Sequence, residues 1–245
     1  MLRHSGTQRT YAHNVKLASL LCLTAGFVNA AGFLAFSVLT TNVTGHAALF
    51  AERLALQDWQ TARVVALWML LFLAGAFISG LLVSRIGRNQ RFSYVIPILI
   101  EMAILIAVAL FGYKYNGSLV AKEIFAGSLL FAMGLQNSLV SMVSGSVVKT
   151  THLTGTFTEL GIELAQITQK GRADNLTLKS KIKLRLVIIF FFMCGALGGA
   201  YLFRFISFHS FLVPGSILLF ALLYDIYRIR VKRYYSRHNL FKKHY

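Results

Sequence analysis

Six stretches of the 245-residue chain, 17–39, 64–83, 94–111, 124–148, 186–203 and 211–227, are apolar over nearly the length needed to cross a bilayer. In hydrocarbon a backbone has no water to bond with, so each is predicted to be an α-helix that satisfies its own N–H and C=O groups. The composition agrees, with 56% hydrophobic and 13% charged residues and a mean hydropathy of +0.64, a mixture that a soluble domain of this size does not carry. Run 17–39 follows Lys16 and lacks a clear A-x-A site, so it reads as an uncleaved first helix and not a signal peptide. Two further stretches, 46–56 and 156–166, have a helical pattern but only about 11 residues, enough to cover about half of a ~30 Å core. They are predicted to be re-entrant or interfacial helices. The expected fold is therefore an all-α integral membrane protein with six transmembrane helices plus two short ones. The alternative is eight spanning helices.

The formal net charge is +17, but the basic residues punctuate the apolar runs and do not form one stripe, so nucleic acid is not an expected partner. With six spans and the N-terminus inside, 20 of the 25 Lys and Arg residues fall on the cytoplasmic side, in the N-terminus, 85–91, 149–185 and the tail. Both termini are then cytoplasmic, and a bacterial inner membrane is the expected location. The eight-span alternative gives the same count, so charge alone does not separate the two. Cys22 and Cys194 both lie in apolar runs and read as reduced packing residues.

An ordered series of matches divides the chain into halves, 1–115 and 116–228, followed by a basic tail, 229–245. Gly26-Phe-Val-Asn29 is echoed by Gly134-Leu-Gln-Asn137, and Thr40-Thr41-Asn42-Val43-Thr44-Gly45 by Thr150-Thr151-His152-Leu153-Thr154-Gly155. Gly75-Ala76 matches Gly195-Ala196, and the two prolines, Pro97 and Pro214, each stand near the start of the last helix of a half. Three spans per half is an odd number, which turns the second half upside down and gives two inverted three-helix repeats; four per half gives parallel repeats.

The segments G-F-V-N-A-A-G-F, T-T-N-V-T-G, G-L-Q-N-S-L-V-S and V-K-T-T-H-L-T-G resemble the YoaK family of small bacterial integral membrane proteins, whose domain is of unknown function. The likeness runs over most of the chain. It implies a bacterial inner-membrane protein, often labelled a possible transporter, and it brings no established substrate or catalytic residues. His152 departs from the aromatic or other polar residue expected at its position, so the resemblance gives its imidazole no role.

T-T-x-x-T-G suits a helix that stops and restarts within the membrane, since threonine hydroxyls satisfy freed carbonyls or cap the next helix and glycine permits close approach. Two readings follow. In one, Thr40, Thr41, Asn42, Thr44, Gly45, Thr150, Thr151, His152, Thr154 and Gly155 line a polar substrate site, and Asn29, Gln136 and Asn137 face the same interior. In the other, the threonines only cap helices and the amides only hold helices together. Thr44 and Thr154 mark the expected restarts and should face inward on the first reading, and Thr156 with Glu159 has capping-box spacing. Gly75, Gly80, Gly195, Gly198 and Gly199 read as points of close helix approach.

Of the eight acids, only Glu101 is flanked on both sides by apolar residues deep in a run. An intramembrane carboxyl is costly, which makes Glu101 a candidate for proton or ion coupling, unless it faces headgroups or pairs with an arginine. His46 and His152 stand at the motifs without the further ligands a metal site needs, and neither a cofactor motif nor a catalytic constellation is present. The expected function is a transporter or channel-like protein for a small solute or ion. A non-transporting scaffold or lipid-interacting protein is the alternative, and an enzyme is not expected. The bilayer itself, anionic lipid at the basic tail, and a homo-oligomer left open complete the expected partners.

Overall fold

The computed structural model describes residues 11–86, 94–169 and 175–241, with side chains to residue 227. The expected cytoplasmic loop 85–91 lies mostly outside the described residues, as do the side chains of the basic tail. All six long runs and both short ones are helical: α1 Tyr11–Phe36, α2 Val43–Ala55, α3 Trp59–Ile86, α4 Val95–Phe111, α5 Leu119–Ser144, α6 Leu153–Ile167, α7 Leu176–Ile206 and α8 Leu212–Phe241. A 3-10 turn, Gly112–Lys114, follows α4, and another, Ser207–Phe211, joins α7 to α8. Five helical stretches are long and apolar enough to cross a membrane, the fifth being the 52 residues of α7, the turn and α8 as far as Tyr227. The short α2 and α6 have 13 and 15 residues, or about 20–22 Å of rise.

Both short helices begin three residues earlier than the sequence suggests. Asn42 caps α2 by accepting a hydrogen bond from Gly45 N (2.9 Å), and His152 is the N-cap of α6. The capping box expected at Thr156 is therefore not formed, because Thr156 already lies in the first turn and its hydroxyl donates back to the His152 carbonyl (2.9 Å). A Cβ on Gly45 would collide with the Asn42 side chain, and one on Gly155 with the His152 ring. The motif glycine thus makes room for the capping residue three positions before it.

Glycine also sets how the long helices pair. A Cβ on Gly26 of α1 would overlap the Phe192 carbonyl of α7, and one on Gly195 would overlap the Leu23 carbonyl of α1. The α3–α5 crossing repeats this with equivalent residues: Gly134 meets the Phe72 carbonyl and Gly75 meets the Phe131 carbonyl. Residues 26, 23, 192 and 195 correspond to 134, 131, 72 and 75 by the offsets of 108 and 120 seen in the sequence. Each crossing joins a helix of one half to a helix of the other, and in each the two helices run parallel. Gly199 makes the same backbone approach to Phe27, whereas Gly80 and Gly198 have only ordinary side-chain neighbours.

The α1–α5 pair runs the other way. Gln136 Nε2 donates to the Leu21 carbonyl (2.8 Å) near the start of α1, while Phe36 at its end stacks on Phe125 near the start of α5 (5.8 Å between centroids). The α4–α8 pair is likewise antiparallel, with Tyr94 against Asp225 at one end and Gly112 against Phe208 at the other. Outward faces carry Leu70, Leu73 and Phe77 on α3, and Phe190, Leu197 and Phe205 on α7, all exposed. An unpartnered apolar surface of this kind is what lipid covers. Cys22 is buried, Cys194 half-buried, and both are free.

Candidate functional site

Beyond Phe36 the chain reverses at Ser37, whose φ of 55° lies in the left-handed region, and returns alongside α1. Thr40 packs against Gly32, and Thr41 N donates to Asn29 Oδ1 (3.1 Å). Asn29 lies seven residues before the end of α1, so the first motif has folded back by about 10 Å. After α5 the second reversal uses Gly145 and Ser146, with φ of 65° and 64°. There Ser144 Oγ accepts from Val148 N (3.0 Å).

The two motifs have the same alternation of burial. Thr40, His46, Thr150 and Thr156 are buried, Thr41 and Thr151 are half-buried, and Asn42, Thr44, His152 and Thr154 are exposed. The expectation that Thr44 and Thr154 face the interior is thus corrected. Because the helices start at Val43 and Leu153, those side chains project from the outer face of a first turn. The inward threonines are Thr40 and Thr150, and among the described residues neither buried hydroxyl has a hydrogen-bond partner. That pattern is informative, since buried polar groups are nearly always satisfied by protein or water.

Gln136 is buried and holds α1 through the Leu21 carbonyl, while its own Oε1 and the Oδ1 of Asn137 are unpaired among the described residues. Asn29 is partnered by its own motif, Gln136 by α1. Since α1 and α5 are antiparallel, the two reversals follow opposite ends of that pair, and the first motif folds back along α1 to Asn29.

His46 and Arg185, the latter not singled out in the sequence, hold the motifs in place. His46 Nε2 lies 2.8 Å from the Leu39 carbonyl and its ring tilts on Trp68, fixing α2 against α3. Arg185 of α7 does the corresponding work for α6: it donates to the Val147 carbonyl (3.0 Å) and pairs with Glu159 (2.9 Å) and Glu163 (3.7 Å). Glu101 is fully buried in α4, and among the described residues neither carboxyl oxygen has a partner. Among the described residues no arginine pairs with it. A second buried acid, Asp225 of α8, accepts a short hydrogen bond from the Tyr94 hydroxyl (2.6 Å). Among the described residues no three His, Cys, Asp or Glu side chains are grouped to hold a metal ion.

Long apolar helices with lipid-compatible outer faces define a multi-pass α-helical membrane protein. The model of the family described as "Protein of unknown function (DUF1275)" matches residues 17–224, and the chain belongs to that family. The YoaK resemblance read from the threonine motifs agrees with it. No curated protein and no solved structure matches the chain.

Proposed function

We propose that the protein carries a small solute or ion across the bacterial inner membrane, with six spans, both termini cytoplasmic, and two inverted three-helix repeats. The antiparallel course of α1 and α5 carries this reading. These are equivalent helices of the two halves, and in a six-span chain they point opposite ways, whereas eight spans would make them parallel. The α4–α8 pair gives the same sense, and the lengths of α2 and α6, about two thirds of a ~30 Å core, suit re-entrant helices. In such repeats, broken helices from both halves face a site near the midplane. Here the buried side of that site is Thr40, Thr150, Gln136 and Asn137, with Asn29 ordering the first motif and Glu101 as the coupling group. Thr41, Asn42, Gly45, Thr151, His152 and Gly155 shape the two helix starts that frame it.

The test is a thermal-shift screen of purified protein against small anions, cations and neutral polar solutes. A solute that raises the melting temperature should do so less in Thr40→Val and Thr150→Val. Each change removes an unpaired buried hydroxyl in nearly constant volume, so stability without solute should hold or rise. If no solute shifts the protein, or if the variants respond as the parent does, the motifs serve only as helix caps and the scaffold reading is the better one.

A further inference from the structure

The buried stripe of α4 comprises Tyr94, Ile98, Glu101, Leu105 and Val108, spaced i, i+4, i+7, i+11 and i+14. Adding 117, the offset between the two prolines, gives Phe211 at the end of the 3-10 turn and Gly215, Leu218, Leu222 and Asp225 of α8, every one also buried. The helices cross antiparallel, so Tyr94 meets Asp225 at one end, while at the other end their equivalents are Phe211 and Val108. The two ends are related in shape and opposite in chemistry. One has a buried tyrosine–carboxyl hydrogen bond of 2.6 Å. The other has no buried ionisable group among the described residues: Phe208 lies against Gly112 and Phe203 against Phe211, with the buried Ser210 hydroxyl beside them. Midway, seven residues or about 10 Å from each end, sits Glu101, opposite the region of its equivalent Leu218.

Among the described residues, buried ionisable groups therefore line this seam at one end only. Next to the Tyr94 end, Lys16 of α1 donates to the Tyr224 hydroxyl (3.3 Å), so the mouth of the seam is polar on three helices. An unpaired buried carboxyl needs water or a proton to be tolerable, and among the described residues the Tyr94 end is the one with buried ionisable groups that could lead water in.

We propose that the α4–α8 seam is a one-sided access route to Glu101, closed at the end bearing Tyr94 and Asp225 by their hydrogen bond and sealed at the opposite end by Phe211, Val108 and Phe208. When the Tyr94–Asp225 bond opens, water enters past Ile98 and exchanges a proton with the Glu101 carboxyl. The proton leaves as hydronium toward the Tyr94 mouth, and Asp225 is the first carboxyl it meets. Tyr94 and Asp225 are positioning residues, and Glu101 is the group that exchanges. The proposal rests on the reading of Glu101 as a coupling group, but its test uses no transported solute.

A charged, membrane-impermeant carbodiimide is added to one face of sealed vesicles of known orientation, and modification of the Glu101 peptide is followed by mass spectrometry. Labelling is expected from the face bearing Tyr94 and Asp225 and not from the other. Tyr94→Phe deletes a hydrogen bond to an acid and should raise the labelling rate roughly tenfold, whereas Val108→Ala at the sealed end should not. As a second measurement, Glu101→Cys in a Cys22→Ser, Cys194→Ser background should react with an impermeant methanethiosulfonate from the same face. Equal reaction from both faces, reaction from the Phe211 face, or no reaction from either face even in Tyr94→Phe would overturn the proposal. Sided labelling with no solute found in the thermal screen would leave the access route standing and count against the transporter reading alone.

Discussion

Gly198 and Gly199 are neighbours on α7, yet the structure asks opposite things of them. A Cβ on Gly199 would overlap the Phe27 backbone, while the atom nearest to one on Gly198 is a Phe27 ring carbon 3.9 Å away, ordinary contact. Gly199→Ala must therefore push α1 and α7 apart. Overpacking at a tight contact costs about 1–3 kcal/mol, and the loss of close Cα–H···O contact adds about 0.5–1 kcal/mol. Alanine returns about 1 kcal/mol of helix propensity, so the net loss is about 0.5–3 kcal/mol. Gly198→Ala gains the same propensity without the clash and should be neutral or stabilising by up to about 1 kcal/mol. Unfolding of both variants and the parent in one detergent, followed by loss of monodisperse protein on heating, gives the comparison. Equal destabilisation by the two alanines would refute the assignment of the seam to Gly199, and so would a harmless Gly199→Ala. The same contrast is expected on α3, where Gly75→Ala should destabilise and Gly80→Ala should not, because only Gly75 meets backbone.

Asn42→Ala removes the cap on Gly45 N and should cost about 1 kcal/mol, seen as faster amide exchange in residues 43–46, with α6 unchanged. Arg185→Ala leaves Glu159 and Glu163 without their shared cation and frees the Val147 carbonyl; α6 should detach first, which limited proteolysis within 153–167 would detect. At the α2–α3 link, hydrogen bonds from the Thr61 side chain and its backbone N–H hold the Asp58 carboxyl below the ordinary aspartate range. A depressed value means the contribution is present above the ordinary aspartate pKa and lost as pH falls through the lowered one. The first turn of α3 should therefore fray on acidification, and Asp58→Asn should remove that pH dependence from amide exchange at residues 59–62.

The eight helices were legible because apolar run length reports directly on what a bilayer requires, and α3 and α7 needed only their ends extended. The starts of α2 and α6 were misplaced because Asn42 and His152 were assigned to a break; Asn42-x-x-Gly45 is itself a capping pattern. Gly26, Gly75 and Gly195 could be found as repeated residues, but which helices they join depends on contacts between halves that no local pattern encodes. Asp225 was passed over because, unlike Glu101, it is not flanked on both sides by a long apolar run: Tyr227 and the basic tail follow it. Aligning it with Val108 by the proline offset of 117 would have exposed it as a member of the buried stripe. Its partner Tyr94 lies 131 residues away, and a hydrogen bond of that span leaves no trace in sequence.

The exchange of glycine seams between the halves has a consequence for how the chain is made. Leu23 and Gly195, which touch in the finished bundle, are 172 residues apart in sequence. At about 5–20 residues per second, α1 is synthesised roughly 9–34 s before the helix it must pack against. Through that interval its small-residue face has only lipid or insertion machinery to lie on. The α3–α5 seam closes much sooner, since Gly75 and Phe131 are 56 residues apart, or about 3–11 s of synthesis. The bundle is thus expected to assemble from its second seam outward, with α1 the first helix inserted and among the last to be secured.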